Sequence, residues 1–235
     1  MLQSEMRLGK LVRWILWRRR LAVSRVPIVL AQGDPAILRG ASRLTGDFFR
    51  ASTFCVVARE INENGLRGNV AELGVHRGEF ASLINRCFPA RTLYLLDTFE
   101  GFDRDEFEKD RQEGLTNRWQ PFTTSISEVV TRMPHPDRVI IAKGRFPGTA
   151  AQIEGPFAFV SLDADLYAPT IAGLEYFCPR LVEGGYIFVH DFNQPDYRGC
   201  RKAVVEYCAR DPGMTCVPIG DWGGTAILKR HAGTG

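Results

Sequence analysis

Short apolar runs alternate with longer stretches in which apolar positions recur three and four residues apart, and this alternation governs most of the chain. Runs at 69–73, 92–96, 138–142, 157–162 and 186–189 are too short for helices and are bounded by glycine, proline or charged residues. Continuous apolar runs of that length read as strands buried on both faces. Helical periodicity occupies 79–87, 125–133, 169–181 and 197–210. Strand and helix therefore alternate, which predicts an α/β fold with a mostly parallel sheet flanked by helices. Pro169 suits the first turn of its helix, and Gly184-Gly185 marks the end of the connection behind it. An earlier helical stretch covers 43–64, with Phe48, Phe49, Phe54, Val56, Val57 and Ile61 as its apolar positions. The last two runs, 214–218 and 225–229, lie too close together for a crossover and are expected as a C-terminal antiparallel hairpin.

Charge divides the chain in two. Between Met1 and Arg25 stand seven basic residues against Glu5, although the whole chain carries only +3. The predicted organisation is a basic, helical N-terminal arm over 1–42 and one domain over 43–235. The apolar stretch at 11–17 is interrupted by Arg13 and falls far short of the roughly 20 residues a membrane span needs. Two readings of the arm stand: a helix packed on its own domain or on a second copy in a homo-oligomer, or an interfacial helix laying Trp14 and Trp17 against an anionic membrane. The basic cluster is confined to the arm rather than spread along a groove, which argues against a nucleic-acid partner. Six scattered cysteines form no Cys-x-x-Cys pair and read as reduced thiols of a cytoplasmic protein, peripheral at the inner face of the membrane on the second reading of the arm. A charge-dense stretch, 103–113, follows the second strand and reads either as a solvated helix or as a lid over a substrate.

The chemistry is expected where strands end. Asp163 and Asp191 lie 28 positions apart, each just beyond a buried run, so neighbouring parallel strands would deliver their carboxylates side by side. In an open α/β sheet ligands bind outside the carboxyl ends of the strands. Two acids there can hold a divalent cation or share a proton. The turn from Glu72 through Gly74 to Gly78 joins the first strand to a helix, and its glycines let a ligand approach backbone amides. Asp97 ends the next strand, 23 residues after Gly74, where a carboxylate can accept from both ribose hydroxyls of an adenosine. A nicotinamide dinucleotide site normally carries three glycines. Here there are two, preceded by an acid that would repel a pyrophosphate but suits the sulfonium and ammonium of S-adenosylmethionine.

Glu72-Leu-Gly-Val-His-Arg-Gly78, Leu96-Asp-Thr-Phe-Glu-Gly-Phe102, Lys143-Gly-Arg-Phe-Pro147, Leu162-Asp-Ala-Asp-Leu-Tyr167, Gly184-Gly185 and Gly199-Cys-Arg-Lys-Ala-Val204 stand in order along the chain. Together they resemble the macrocin-type sugar O-methyltransferases, over about 48–229. The resemblance implies a Rossmann-like class I methyltransferase fold, S-adenosylmethionine as methyl donor, and Mg2+ or another divalent cation. It implies donor contacts from Glu72, Gly74, Gly78 and Asp97, with Gly144 and Phe146 near the adenine. It makes Asp163 both metal ligand and general base, and places the second metal acid at Asp191. Where the family pattern often has a pair of acids, this chain has His190-Asp191. His190 is thus a third ligand, a proton acceptor or hydrogen-bonding partner, or a packing residue. The acceptor is expected to be a hydroxyl of a sugar, glycan or glycosylated natural product. A nicotinamide-dependent oxidoreductase and a non-catalytic donor-binding subunit remain as alternatives.

Overall fold

A computed structural model describes residues 47–231. Within them a seven-stranded sheet runs in the order β3-β2-β1-β4-β5-β7-β6. The strands are β1 (Asn69–Leu73), β2 (Leu93–Asp97), β3 (Val139–Lys143), β4 (Phe157–Leu162), β5 (Leu181–Val189), β6 (Met214–Pro218) and β7 (Ala226–Arg230). The first five pair in parallel, and β7 runs antiparallel to both β5 and β6. The expected hairpin is present, with its second strand inserted beside β5. Helices α1 (Phe48–Glu63), α2 (Glu79–Cys87), α3 (Arg104–Gln112), α4 (Ile126–Thr131), α5 (Tyr167–Phe177) and α6 (Arg198–Arg210) complete the described chain. The arm over 1–42 lies outside the described residues. Among those described, no helix is long and apolar enough to cross a membrane.

Strand periodicity of two builds the two cores. Val70, Leu93, Leu95 and Phe188 face one way, packing with Phe54 and Ile61 of α1 and Phe80 and Ile84 of α2. Phe54 is the hub of that layer, with Phe159 4.7 Å and Phe80 5.2 Å away, centroid to centroid. Ala71, Leu73, Leu96, Val160, Ile187 and Val189 face the other way, against Leu174 and Phe177 of α5 and Ala203 and Val204 of α6.

Several boundaries shift by one or two residues from the sequence expectation, and two elements change more. The helix predicted over 169–181 begins at Tyr167 and ends at Phe177, because a 3₁₀ turn containing Pro179 follows. The strand predicted over 186–189 begins at Leu181, so Gly184-Gly185 lies inside it. The register between β4 and β5 shifts there, Gly184 has φ of +75°, and a Cβ on Gly185 would stand 2.9 Å from the Val182 carbonyl oxygen. The glycines allow a bulge rather than ending the connection.

The stretch 103–113 is a helix but not a merely solvated one. Asp103 caps it through the amides of Asp105 and Glu106, while Glu106, Phe107 and Asp110 are buried. Asp110 accepts at 2.8 Å from the amide of Tyr167, supplying α5 with the N-terminal cap that its own Leu166 cannot.

Candidate active site

Strand order reverses between β1 and β4, and their carboxyl ends open a crevice at that switch point. Gly74 makes the crevice possible: its φ is +84°, and a Cβ would overlap the Asp163 carbonyl oxygen and stand 2.6 Å from the carbonyl carbon. Among the described residues, the non-glycine positions with left-handed backbone are His76, Phe99, Asp165 and Asp191, just beyond β1, β2, β4 and β5 respectively. Each such conformation costs roughly 1–3 kcal/mol and concentrates at functional sites.

Two cavities share this crevice. One is lined by Gly74, Asp97, Phe102, Gly144, Phe146 and Asp165, with Glu106 and Arg145 at its edge. The other, about 610 Å³, is lined by Arg50, Glu72, Asp163, His190, Asp191 and Trp222 among others. That volume lies within the range of small-molecule sites. Gly74, His76, Phe122, Asp163 and Asp165 line both, so they stand at the junction.

Asp163, His190 and Asp191 come together as their strand positions require, since Leu162 pairs with Val189. His190 Nδ1 is 3.0 Å from Asp163 Oδ1 and 2.9 Å from Asp191 Oδ2. One ligand atom from each of the three lies within 4.8 Å of the others. Two carboxylates and one imidazole on one wall form a donor set fit for a divalent cation, and the nitrogen suits a manganese- or iron-like ion better than magnesium.

Arg50 is the residue that sequence reasoning missed. Its Nη1 donates to Asp163 Oδ2 at 2.9 Å and its Nη2 to Ser161 Oγ at 3.2 Å, while the guanidinium lies 4.0 Å over the Phe80 ring. The signal was present: Arg50 stands four, seven and eleven residues before Phe54, Val57 and Ile61, which places it on the apolar face of α1. Burial alone would raise the Asp163 carboxyl, but His190 and Arg50 outweigh it and hold it well below the usual carboxylate range. Burial favours neutral imidazole, yet Asp163 and Asp191 push His190 up to about 9. Asp165 goes the other way, raised well above its ordinary value by burial and by the Asp191 carboxylate.

The remaining expected residues divide. Glu72 is buried on the face of β1 that looks toward α1, and burial raises its carboxyl well above the ordinary value against the pull of Arg50. Its Oε2 has no hydrogen-bond partner, an orphaned acceptor at the cavity that a cationic ligand would satisfy. Asp97 reaches back to the turn, its Oδ2 accepting from the amides of Val75 (2.6 Å) and His76 (3.0 Å), and its Oδ1 from that of Phe99 (2.7 Å). It fixes the turn as well as lining the first cavity. Gly144 and Phe146 line that same cavity, Phe146 stacking 5.9 Å from Phe177. Gly78 lines neither; it starts α2 with φ of +77°, and a Cβ there would stand 3.0 Å from Val129.

The model of the Macrocin-O-methyltransferase (TylF) family matches residues 39–226. This chain belongs to the macrocin O-methyltransferase family. It is 29% identical over 191 residues to the 8-demethyl-8-(2,3-dimethoxy-alpha-L-rhamnosyl)-tetracenomycin-C 4'-O-methyltransferase of Streptomyces olivaceus, covering 76% of this chain and 70% of that protein. To the Mycinamicin III 3''-O-methyltransferase of Micromonospora griseorubida it is 31% identical, over 61% of each. Among solved structures, the O-methyltransferase NovP superposes with a TM-score of 0.66 at 25% identity, covering 78% of this chain and 80% of that one. As a macrocin-type enzyme the chain is an S-adenosylmethionine-dependent O-methyltransferase with the class I fold, and the nicotinamide alternative falls. The name of the Streptomyces olivaceus relative describes methylation of a rhamnosyl-bearing tetracenomycin.

Proposed function

We propose that this enzyme methylates a hydroxyl of a sugar, glycan or glycosylated natural product, and that Asp163, Asp191 and His190 hold a divalent cation against which the acceptor's diol binds. The observation that carries the reading is the junction at Gly74, Asp163 and Asp165: one cavity beside it is lined by Asp97, Gly144 and Phe146, and the other by the orphaned acid Glu72 and the acid-imidazole cluster. In this reading the donor lies in the first cavity, its adenine beside Gly144 and Phe146 and its ribose at Asp97, with its ammonium reaching past Gly74 toward Glu72 in the second. The second cavity takes the acceptor.

A bound cation would lower the free energy of the acceptor alkoxide as it forms. Asp163 acts as a ligand rather than a base, because His190 and Arg50 beside it hold its carboxyl well below the usual carboxylate range. Asp165, which lines both cavities at the junction, is the proton acceptor in this reading. The hydroxyl oxygen forms a bond to the donor's methyl carbon as the carbon–sulfur bond breaks, and S-adenosylhomocysteine leaves. The test is calorimetric titration with S-adenosylhomocysteine and with NAD, followed by methyl-transfer assays on a glycoside panel with Mn2+, Mg2+ or EDTA. Transfer undiminished by EDTA would overturn the cation's role, and donor binding without transfer to any glycoside would favour a non-catalytic subunit.

A further inference from the structure

The wall of the acceptor cavity holds a group that the mechanism does not use. Trp222 is 85% exposed, more than any other large apolar side chain among the described residues. Its loop is nevertheless tied down. The Trp222 amide donates to Asp47 Oδ2 at 2.7 Å, the amide of Thr225 donates to Asp221 Oδ1 at 2.7 Å, and that of Asn193 to the Gly224 carbonyl at 2.9 Å. Gly223 lies flat against the imidazole of His190, so close that a Cβ would overlap Nε2. Neighbouring Cα atoms are about 3.8 Å apart, and the Trp222 side chain therefore springs from the backbone one residue away from the acid-imidazole cluster.

Single exposed apolar side chains are ordinary on protein surfaces. An indole carried by an anchored loop at the rim of a cleft is a different case, since ligand sites pair an apolar plane with a few placed polar groups. Here Arg118, Gln120 and Gln194 line the same cavity. Depth separates the roles: Asp191 is 5% exposed at the floor, and Trp222 stands at the rim. Whatever meets the indole is the part of the acceptor farther from the reacting hydroxyl.

We propose that Trp222 determines acceptor choice by stacking on the ring to which the methylated sugar is attached, so that the acceptor is a glycoside and not a free sugar. This rests on the acceptor reading above. The second ring offers a flat apolar face, supplied either by an aromatic aglycone or by the CH face of another sugar.

The experiment is calorimetric titration of the full chain, loaded with S-adenosylhomocysteine and Mn2+, with methyl α-L-rhamnopyranoside, its p-nitrophenyl counterpart and a rhamnosyl-glucoside. Rhamnose is chosen because a rhamnosyl group appears in the name of the Streptomyces olivaceus relative. The unsubstituted protein is expected to bind one of the two-ring ligands about tenfold more tightly than the methyl glycoside, the difference expected of one aromatic stack with its buried area. Which of the two it prefers identifies the source of the flat face. Trp222→Ala is expected to bring all three within about twofold, and Trp222→Phe to keep most of the contrast. Unchanged S-adenosylhomocysteine affinity in both variants reports an intact fold. Equal binding of all three ligands by the unsubstituted protein, binding of none, or a contrast that survives Trp222→Ala overturns the proposal. Repeating the titrations in EDTA separates it from the reading beneath: a contrast retained without the cation supports Trp222 while refuting the cation-held diol.

Discussion

Arg50 and Asp163, 113 positions apart in sequence, meet as an ion pair with Nη1 2.9 Å from Oδ2. The arginine is 7% exposed and comes from the first described helix, whereas the aspartate directly follows the fourth strand, so the pair ties α1 to the floor of the site. Removing one partner of a buried pair costs roughly 3–5 kcal/mol, and the cost here falls at the low end because Asp163 is 23% exposed and keeps His190 beside it. Arg50→Met is expected to lower unfolding stability by about 3 kcal/mol in urea. Mn2+ should raise the variant's melting temperature more than that of the unsubstituted protein, because it re-supplies positive charge beside Asp163. A variant as stable as the original would show that Arg50 is dispensable to the floor.

Asp163→Asn and Asp191→Asn separate donor binding from transfer. Each is expected to keep S-adenosylhomocysteine affinity within about threefold while lowering kcat by at least about a hundredfold, the scale on which electrostatic stabilisation of a transition state is lost. Asp165→Asn should spare both donor and cation binding and lower kcat alone. Calorimetry beside single-turnover assays reads both quantities. Loss of donor binding in all three variants would reject the division of the crevice.

Cation binding should depend on pH with a defined sign. Without the cation, His190 has a pKa of about 9, raised from its ordinary value by its two carboxylates. Its protonated form stabilises the fold fully below about 6.5, and that contribution disappears as pH rises through 9. A ligand imidazole must be neutral, so binding releases a proton. Apparent Mn2+ affinity is therefore expected to rise about tenfold per pH unit between about pH 7 and 9, then level off. His190→Asp should flatten that slope and improve Mg2+ relative to Mn2+. A flat profile in the unsubstituted protein excludes the imidazole as a ligand.

Gly74→Ala tests the switch point. The added methyl would overlap the Asp163 carbonyl, and φ of +84° is strained for alanine in any case. Expected are a loss of about 2–4 kcal/mol in stability, from strain and forced displacement together, and donor binding weakened beyond detection by calorimetry. Gly78→Ala is strained as well, at φ of +77°, but its methyl would press on Val129 and Met133 rather than overlap a carbonyl, so it should cost less and retain donor binding.

The carboxylates were legible in the sequence because strand ends are marked by where apolar runs stop. Asp97, Asp163 and Asp191 each follow such a run, and pairing of β4 with β5 then makes the last two neighbours. Arg50 was not read, although helical periodicity places it on the apolar face, because an arginine in an amphipathic helix is ordinarily assigned to solvent. The bulge at Gly184-Gly185 was hidden for another reason: glycine pairs mark turns and bulges alike, and only the partner strand's register distinguishes them. The capping of α5 by Asp110 joins residues 57 positions apart and leaves no periodic trace in the sequence.

The insertion of β7 between β5 and β6 sets an order of assembly. On an emerging chain β1 to β5 can pair as they appear, but β5, which leads into His190 and Asp191, keeps one open edge until residues 226–230 have been made. The loop that seats Gly223 against His190 is made only just before that strand. The wall that carries His190 and Asp191 is therefore completed late in synthesis, and a ribosome stalled before β7 would carry a chain in which β5 still lacks the strand that pairs beside that wall.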